Sequence, residues 1–143
     1  MNKKIRTAAI ILLVIYVVVS LYFLLTTVSL GVKNRLWNIP TDKIFHFLMF
    51  TPYPILFWMI IKYGKKNYRK GLGIYLLIFT ISVTLGGLTE VAQKYMTDSR
   101  NGDVMDWLAD ALGIILALFL LWIFESRVDR LLLKLFADRK KSE

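Results

Sequence analysis

The chain has 143 residues, of which 57% are hydrophobic and 20% are charged, and this composition excludes a disordered protein and argues against a soluble globule. It contains no cysteine, which excludes disulfides, thiolate metal sites and a cysteine nucleophile. The net charge of +9 fits either nucleic acid or an anionic membrane surface as a partner, and the positions of the basic residues decide between them.

Four apolar runs each approach or exceed the ~20 residues that a helix needs to cross a membrane. They predict an all-α integral membrane protein, a four-helix bundle that occupies residues 1–126. The helices are expected at about residues 7–30, 42–62, 71–93 and 103–125. The first run follows a basic start but exceeds the ~7–15 apolar residues of a signal peptide, so we interpret it as a retained anchor.

Residues 127–143 differ from the four runs and predict a separate cytoplasmic tail. Apolar side chains recur there at helical spacing with basic residues between them, which is typical of an amphipathic helix on an anionic leaflet. The alternative is a helix that packs on the loops of the bundle. The apolar positions are Val128, Leu131, Leu132, Leu135 and Phe136.

The basic residues predict the orientation in the membrane. Fourteen of the 19 Lys and Arg residues lie in the N-terminus, in the segment 62–71 and in the tail after residue 126. In a four-pass protein these segments share one side, and the positive-inside rule places that side in the cytoplasm. Both termini are then cytoplasmic. Nucleic acid is not an expected partner, because no basic platform is interleaved with aromatic residues.

With this topology, polar side chains from three helices converge at the outer face. An ionisable side chain inside the apolar region is costly, so such residues pair, protonate or bind a ligand. The candidate binding and catalytic residues are Asp42, Lys43, His46, Glu90, Gln93, Arg100, Asp103, Asp106 and Asp110.

The spacing of these residues places several of them on common helix faces. Residues three or four apart share a face, as do Asp42 and His46, and Glu90 and Gln93. The fourth helix carries a stripe of polar and small residues that should face the interior of the bundle. Its members are Asp103, Asp106, Asp110, Gly113 and Ala117.

Each candidate has a functional role and a structural alternative. His46 is a general base or metal ligand, or a hydrogen-bonded residue at the membrane interface. Glu90 is a functional carboxyl, or it forms a buried ion pair with Arg100. Asp42 orients His46 or caps the second helix.

The other candidates have comparable alternatives. Gln93 binds a ligand or makes a helix-end hydrogen bond. Arg100 clamps a phosphate or carboxylate, or neutralises neighbouring acids. Asp103 caps the fourth helix, while Asp106 and Asp110 lie deeper and are stronger functional candidates.

A divalent cation is the one candidate cofactor. Oxygen-rich ligand sets suit Mg²⁺, Ca²⁺ or Mn²⁺, and a histidine with carboxylates suits Zn²⁺. No compact metal-binding motif is present, so the signal comes only from the convergence of ligand types. The candidate ligands are Asp42, His46, Glu90, Asp106 and Asp110.

The ordered set of motifs over about residues 40–115 resembles the VanZ-like membrane proteins. It consists of Asp42-Lys43-Ile44-Phe45-His46-Phe47, Glu90-x-x-Gln93, Arg100 followed by Asp103-x-x-Asp106, and Gly113. The resemblance implies a small multi-pass protein of the bacterial cell envelope, in the cytoplasmic membrane. The namesake of the family is associated with resistance to the lipoglycopeptide teicoplanin. One departure is Asp110, where the family commonly has Asn.

Two functions follow as expectations. In the first, the outer pocket binds a lipid head group, a cell-wall precursor or a lipoglycopeptide, and membrane lipids are the partners. In the second, the chain is an integral-membrane enzyme that acts on an outer-leaflet phospholipid or polyprenyl-phosphate substrate. His46, Glu90 and Asp106 would then carry acid–base or metal-assisted chemistry.

Overall fold

The computed structural model describes residues 2–25, 35–36, 39–96 and 103–137. Its elements, in chain order, are α1 (Lys3–Leu25), β1 (Arg35–Leu36), β2 (Ile39–Pro40), α2 (Thr41–Phe50), α3 (Pro52–Gly64), α4 (Leu72–Met96) and α5 (Val104–Ala137). The two strands are a two-residue antiparallel pair in which Leu36 lies opposite Ile39. The described part of the chain is otherwise helical, which confirms the predicted all-α class.

Four segments are long and apolar enough to cross a membrane: Lys3–Leu24, Thr41–Gly64, Leu72–Met96 and Val104–Ala137. Their large apolar side chains point outward to an extent that a water-soluble surface does not tolerate. Val18 on α1 is 63% exposed and Leu112 on α5 is 60% exposed. The coarse prediction of a protein with four apolar spanning-length helices is therefore confirmed.

The second segment is kinked at Thr51, where α2 meets α3, although Thr51 keeps helical backbone angles of φ −60° and ψ −39°. Proline has no backbone N–H and its ring crowds the preceding turn, so a proline interrupts a continuous helix. Pro52 opens α3 as its first residue, and the Thr51 hydroxyl donates to the Phe47 carbonyl at 2.8 Å. The sequence predicted one helix over residues 42–62, and the structure has one spanning-length segment, Thr41–Gly64, that the kink divides into α2 and α3.

The fourth predicted helix and the predicted tail form one continuous helix, α5, of 34 residues. On the tail part of α5, Val128, Leu132 and Phe136 pack against the core near the start of α1, which favours the alternative of packing on the bundle. Leu131 and Leu135 are exposed. Residues 138–143 lie outside the described residues, as do residues 26–30 of the first predicted helix.

Two apolar clusters hold the antiparallel helices together. One brings the start of α1 against the end of α3 and the start of α4, through residues that include Ile5, Trp58 and Ile78. The other joins the end of α1 to the region of the α2–α3 kink, through Leu24 and Phe50. The helices therefore alternate in direction, and the polar residues singled out in the sequence lie at the end of the bundle away from the first cluster.

The backbones of α2 and α5 lie very close together at Gly113. A Cβ atom on Gly113 would collide with the carbonyl oxygen of Phe47, so only glycine allows α2 to lie this close. Four of the five residues of the predicted stripe are buried and face inward, namely Asp106, Asp110, Gly113 and Ala117. The fifth, Asp103, precedes α5 and its side chain is 45% exposed.

We predict that Gly113→Ala destabilises the protein by about 1–3 kcal/mol, which is typical of overpacking in a well-packed interior. The clash is with backbone, so no side-chain rotation relieves it. The measurement is the free energy of unfolding in detergent. Gly73→Ala is the matched control, because a Cβ on that α4 glycine meets nothing within 4 Å. Equal stability of the two variants would contradict the prediction.

Candidate functional site

Three helices bring ionisable side chains to one end of the bundle. α2 contributes His46, α4 contributes Glu90, and α5 contributes Asp106 and Asp110. Asp110 is 0% exposed and His46 is 1% exposed, while Glu90 and Asp106 are each 9% exposed. Because charged groups are rarely buried without a partner, these four residues, which we call the histidine–carboxylate cluster, are the candidate site.

The imidazole of His46 lies between the three carboxylates. Its Nδ1 is 3.0 Å from Asp110 Oδ1 and 3.6 Å from Glu90 Oε1. Its Nε2 faces Asp106 Oδ2 at 3.8 Å. The ring therefore meets one carboxylate at hydrogen-bonding distance and two more just beyond it, which is a strongly negative environment for a single histidine.

Lys43 supplies the positive charge at the edge of the histidine–carboxylate cluster. Its Nζ donates to Asp106 Oδ1 at 2.7 Å and to Asp103 Oδ2 at 2.8 Å. Lys43 and His46 are three residues apart on α2 and so share a face. One ammonium group thus bridges two carboxylates, and Glu90 and Asp110 remain without a lysine or arginine partner among the described residues.

The N-terminus of α5 holds Glu90 in place. Asp103 immediately precedes α5, and its Oδ1 accepts a hydrogen bond from the Met105 N–H at 2.8 Å, which confirms the predicted cap. The backbone N–H of Asp103 donates to Glu90 Oε2 at 2.8 Å. The Lys43 ammonium and the Met105 N–H keep the pKa of Asp103 below its ordinary value, because both stabilise its ionised carboxylate.

Three buried polar atoms of the cluster have no hydrogen-bond partner among the described residues. They are His46 Nε2, Glu90 Oε1 and Asp110 Oδ2. A buried polar atom without a partner costs about 1–3 kcal/mol, and native proteins rarely keep several together. Such a group of atoms is suited to binding a cation, a proton or a polar ligand.

Glycine makes room for the carboxylate of Asp110 against α4. A Cβ on Gly86 would lie 3.0 Å from Asp110 Oδ2, which is tighter than ordinary contact. On the same surface, Trp107 Nε1 donates to the Val83 carbonyl at 3.0 Å. The two adjacent glycines at positions 86 and 87 therefore let α5 press its carboxylate and its indole against α4.

A cavity of about 280 Å³ lies between α4 and α5 beside the histidine–carboxylate cluster. Its wall is almost wholly apolar, although two acids and one cation, Glu90, Asp103 and Lys94, are among the residues that line it. Apolar groups form the rest of the wall: Gly87, Val91, Val104 and Trp107. Lys94 was not among the site residues predicted from the sequence, although its position four residues after Glu90, on the same helix face, was a usable signal.

The structure separates two predicted site residues from the cluster. The side chain of Asp42 is 47% exposed, and its carboxylate lies 4.0 Å from Lys43 Nζ. Because α2 begins at Thr41 with Pro40 as its N-cap residue and no side-chain cap, the capping role for Asp42 is wrong.

Gln93 is buried and donates to the Leu24 carbonyl at 2.8 Å, which ties α4 to α1. Arg100 lies outside the described residues.

A second buried polar group, at the opposite end of the bundle, was missed in the sequence. Glu125 Oε1 accepts from Lys62 at 3.2 Å, and Oε2 accepts from the Tyr75 hydroxyl at 2.8 Å. Tyr63 donates to Asp129, which also pairs with Lys62 at 3.3 Å. Both oxygens of Glu125 have partners, so this network links α3, α4 and α5. The signal was Glu125 itself, an acid directly after an apolar run.

The chain matches no family model, no curated protein and no solved structure. The resemblance to the VanZ-like proteins therefore rests on the sequence motifs alone.

We predict that Gly86→Ala disturbs the cluster while Gly87→Ala does not. The added methyl at position 86 displaces the Asp110 carboxylate, whereas a Cβ at position 87 meets Trp107 at an ordinary 3.5 Å. The chain has one histidine, so its ¹⁵N-labelled ring gives a single pair of nitrogen resonances. We expect those resonances to shift in Gly86→Ala only. Equal shifts in both variants would show that Asp110 is not held against α4 in this way.

We also predict that Lys43→Gln lowers the free energy of unfolding at neutral pH by about 1–2 kcal/mol. The native pKa of Asp103 is below its ordinary value. The ion pair of Asp103 with Lys43 therefore contributes its full stabilisation of the fold at pH values above the ordinary pKa range of Asp, and this stabilisation is lost as the pH falls through the native pKa. The difference from wild type should therefore shrink below about pH 4. Unfolding titrations at several pH values, with exposed Lys134→Gln as control, measure this. A difference that grows toward acid pH would contradict it.

Proposed function

We propose that the chain is a four-pass protein of the bacterial cytoplasmic membrane, with both termini in the cytoplasm. In this proposal the histidine–carboxylate cluster and the adjacent cavity form a pocket on the extracytoplasmic side. The pocket binds the polar head group of a membrane-anchored ligand: a lipid, a lipid-linked cell-wall precursor or a lipoglycopeptide.

The distribution of basic residues supports the orientation. The start of α1, the α3–α4 connection and the end of α5 lie at one end of the bundle, and these segments hold most of the Lys and Arg residues. The positive-inside rule assigns such an end to the cytoplasm. The histidine–carboxylate cluster then faces the opposite side, where cell-wall precursors and lipoglycopeptides are found.

The observation that carries the proposal is the cavity between α4 and α5. Its wall is almost wholly apolar and continuous with exposed apolar surface such as Val91, 52% exposed, and three charged residues, Glu90, Asp103 and Lys94, are among those that line it. An amphiphile needs this combination, because its head group requires polar partners while its chain remains in the membrane. A ligand could therefore enter sideways from the lipid.

The exposed lysine in the cavity lining favours a head group that carries a phosphate or a carboxylate. Lys94 offers such a group its ammonium. The VanZ-like resemblance favours a lipoglycopeptide within this class and makes teicoplanin the first ligand to test.

The second candidate function is an enzyme that acts on an outer-leaflet phospholipid or polyprenyl-phosphate. Unpartnered Glu90 Oε1 and His46 Nε2 favour it, because a general base must have a free lone pair within reach of the proton that it removes. In this alternative Lys94 holds the phosphate and Glu90 or His46 activates the attacking group.

We predict that wild-type protein protects a susceptible Gram-positive host against teicoplanin and not against vancomycin. Glu90→Gln should lose this protection, since it removes the charge at the pocket. Asp42→Asn is the control, because it removes one carboxylate on an exposed side chain of the same end. All proteins are compared at matched levels in the membrane, with lipid profiling of the same cells.

The lipid profile separates the two functions. Protection with unchanged lipid and precursor pools supports binding, and protection with a changed pool that Glu90→Gln restores supports the enzyme. Equal protection by Glu90→Gln and wild type would reject the pocket as the site of action.

A direct binding measurement tests the cavity itself. In nanodiscs, Val91→Trp should weaken teicoplanin binding at least about tenfold, because the indole fills the cavity, and that loss equals about 1.4 kcal/mol. Leu88→Trp is the matched control, since Leu88 is an exposed apolar residue of α4 outside the cavity lining. Equal binding by the two variants would exclude this cavity as the ligand site.

A further inference from the structure

We propose that the histidine–carboxylate cluster binds one divalent transition-metal ion, with Zn²⁺ as the preferred ion, through His46, Glu90 and Asp110. All three ligands come from this chain, so the site does not depend on the lipid or antibiotic that occupies the neighbouring cavity.

The separations between the donor atoms fit a coordination sphere. One donor atom from each of these three side chains lies within 4.8 Å of the other two. His46 Nδ1 is 3.0 Å from Asp110 Oδ1 and 3.6 Å from Glu90 Oε1. Two ligands of one Zn²⁺, each ~2.0–2.2 Å from the ion, lie about 3–3.5 Å apart at octahedral or tetrahedral angles. The two separations from Nδ1 already lie at or near this range, and a side-chain rotation that closes the Glu90–Asp110 separation, which is at most 4.8 Å, would seat the ion.

Unpartnered atoms give an independent indication of a ligand. Glu90 Oε1 points toward His46 Nδ1 and has no hydrogen-bond partner among the described residues. The other oxygen of Glu90 is held by the Asp103 N–H at 2.8 Å. The carboxylate is thus fixed by one oxygen and leaves the other free, an arrangement that orients many metal-binding carboxylates.

The charge at the site also calls for a cation. Four carboxylates meet here, from Glu90, Asp103, Asp106 and Asp110, and Lys43 bridges only Asp103 and Asp106. A divalent ion at the proposed position would neutralise the remaining two. Burial of an uncompensated pair of carboxylates is much more costly than burial of the same pair on an ion.

The donor set selects the type of ion. Carboxylate oxygens alone suit Mg²⁺ or Ca²⁺, whereas an imidazole nitrogen with carboxylates suits Zn²⁺ and, less strongly, Mn²⁺. Three protein ligands leave a fourth position of a tetrahedral Zn²⁺ site open to water or to a ligand phosphate. Asp106, whose Oδ2 faces His46 Nε2 at 3.8 Å, would orient the imidazole from its other side.

The first test uses the wild-type protein, purified in detergent and freed of metal with a chelator. ZnCl₂ is titrated by calorimetry, and the ¹⁵N-labelled ring of the single histidine is followed by NMR. We expect one equivalent of Zn²⁺ to bind and to shift the Nδ1 resonance of His46, with MgCl₂ binding at least about tenfold more weakly. A stoichiometry near zero, or binding that leaves the His46 ring unchanged, would overturn the proposal.

Variants then identify the carboxylate ligands. Asp110→Asn and Glu90→Gln should each weaken Zn²⁺ binding at least about tenfold, while Asp42→Asn binds as the wild type does. Circular dichroism and gel filtration establish whether each variant is folded. If a variant is not folded, the NMR titration of the wild-type protein still tests the proposal. Equal loss in Asp42→Asn would show only a diffuse attraction of cations to an acidic surface.

The metal test and the antibiotic test can fail separately. Zn²⁺ binding without teicoplanin binding would reject the proposed ligand and leave the metal site in place. Teicoplanin binding by chelator-treated protein, with no Zn²⁺ bound at one equivalent, would reject the metal site and leave the pocket in place.

Discussion

The close approach of α2 and α5 at Gly113 is the constraint on which the candidate site depends. Only the absence of a Cβ at this position lets α5 lie against the Phe47 carbonyl. His46 directly precedes Phe47, and Asp110 lies three residues, or nearly one turn, before Gly113 on the same face of α5. The backbone contact therefore fixes the 3.0 Å separation of the imidazole and the Asp110 carboxylate. A wider spacing of the helices would admit water or lipid between these two groups and remove their burial.

This packing buries the carboxylates, and the free-energy cost of burying them has to be compensated. The protein supplies compensation from two directions: the Lys43 ammonium bonds Asp103 and Asp106, and the N-terminus of α5 offers N–H groups and the positive end of its helix dipole. These contacts serve the rim of the cluster and one oxygen of Glu90. They do not reach Asp110 or the second oxygen of Glu90. The uncompensated charge is therefore concentrated at the deepest point, between His46 and α4.

Sequence reasoning predicted the spanning-length helices and the convergence of His46, Glu90, Asp106 and Asp110, because hydropathy and helical spacing are local properties. It predicted the second helix as one span, and Pro52 and Pro54, which lack backbone N–H donors, account for the kink at Thr51 that divides this span into α2 and α3. The direction of Asp42 was missed. The spacing of four residues between Asp42 and His46 predicts that they share a helix face, but it does not predict where the bundle ends. Asp42 lies on the exposed rim of the bundle. Lys94 and the partners of Glu125 were missed because cavities and long-range pairs depend on how the helices pack.

The two buried polar groups of this bundle show why burial alone does not identify a functional residue. Glu125 is as buried as Glu90, yet Lys62 and Tyr75 satisfy both of its oxygens, and Lys70 adds a third contact at 3.7 Å. A fully bonded network of this kind fixes the packing of the helices and offers no free lone pair to a ligand. Glu90 has a free oxygen that faces an imidazole, next to a second buried carboxylate and a cavity with apolar walls. The difference in hydrogen bonding, and not in depth, is what distinguishes the two ends of the bundle and makes the histidine–carboxylate cluster the candidate site.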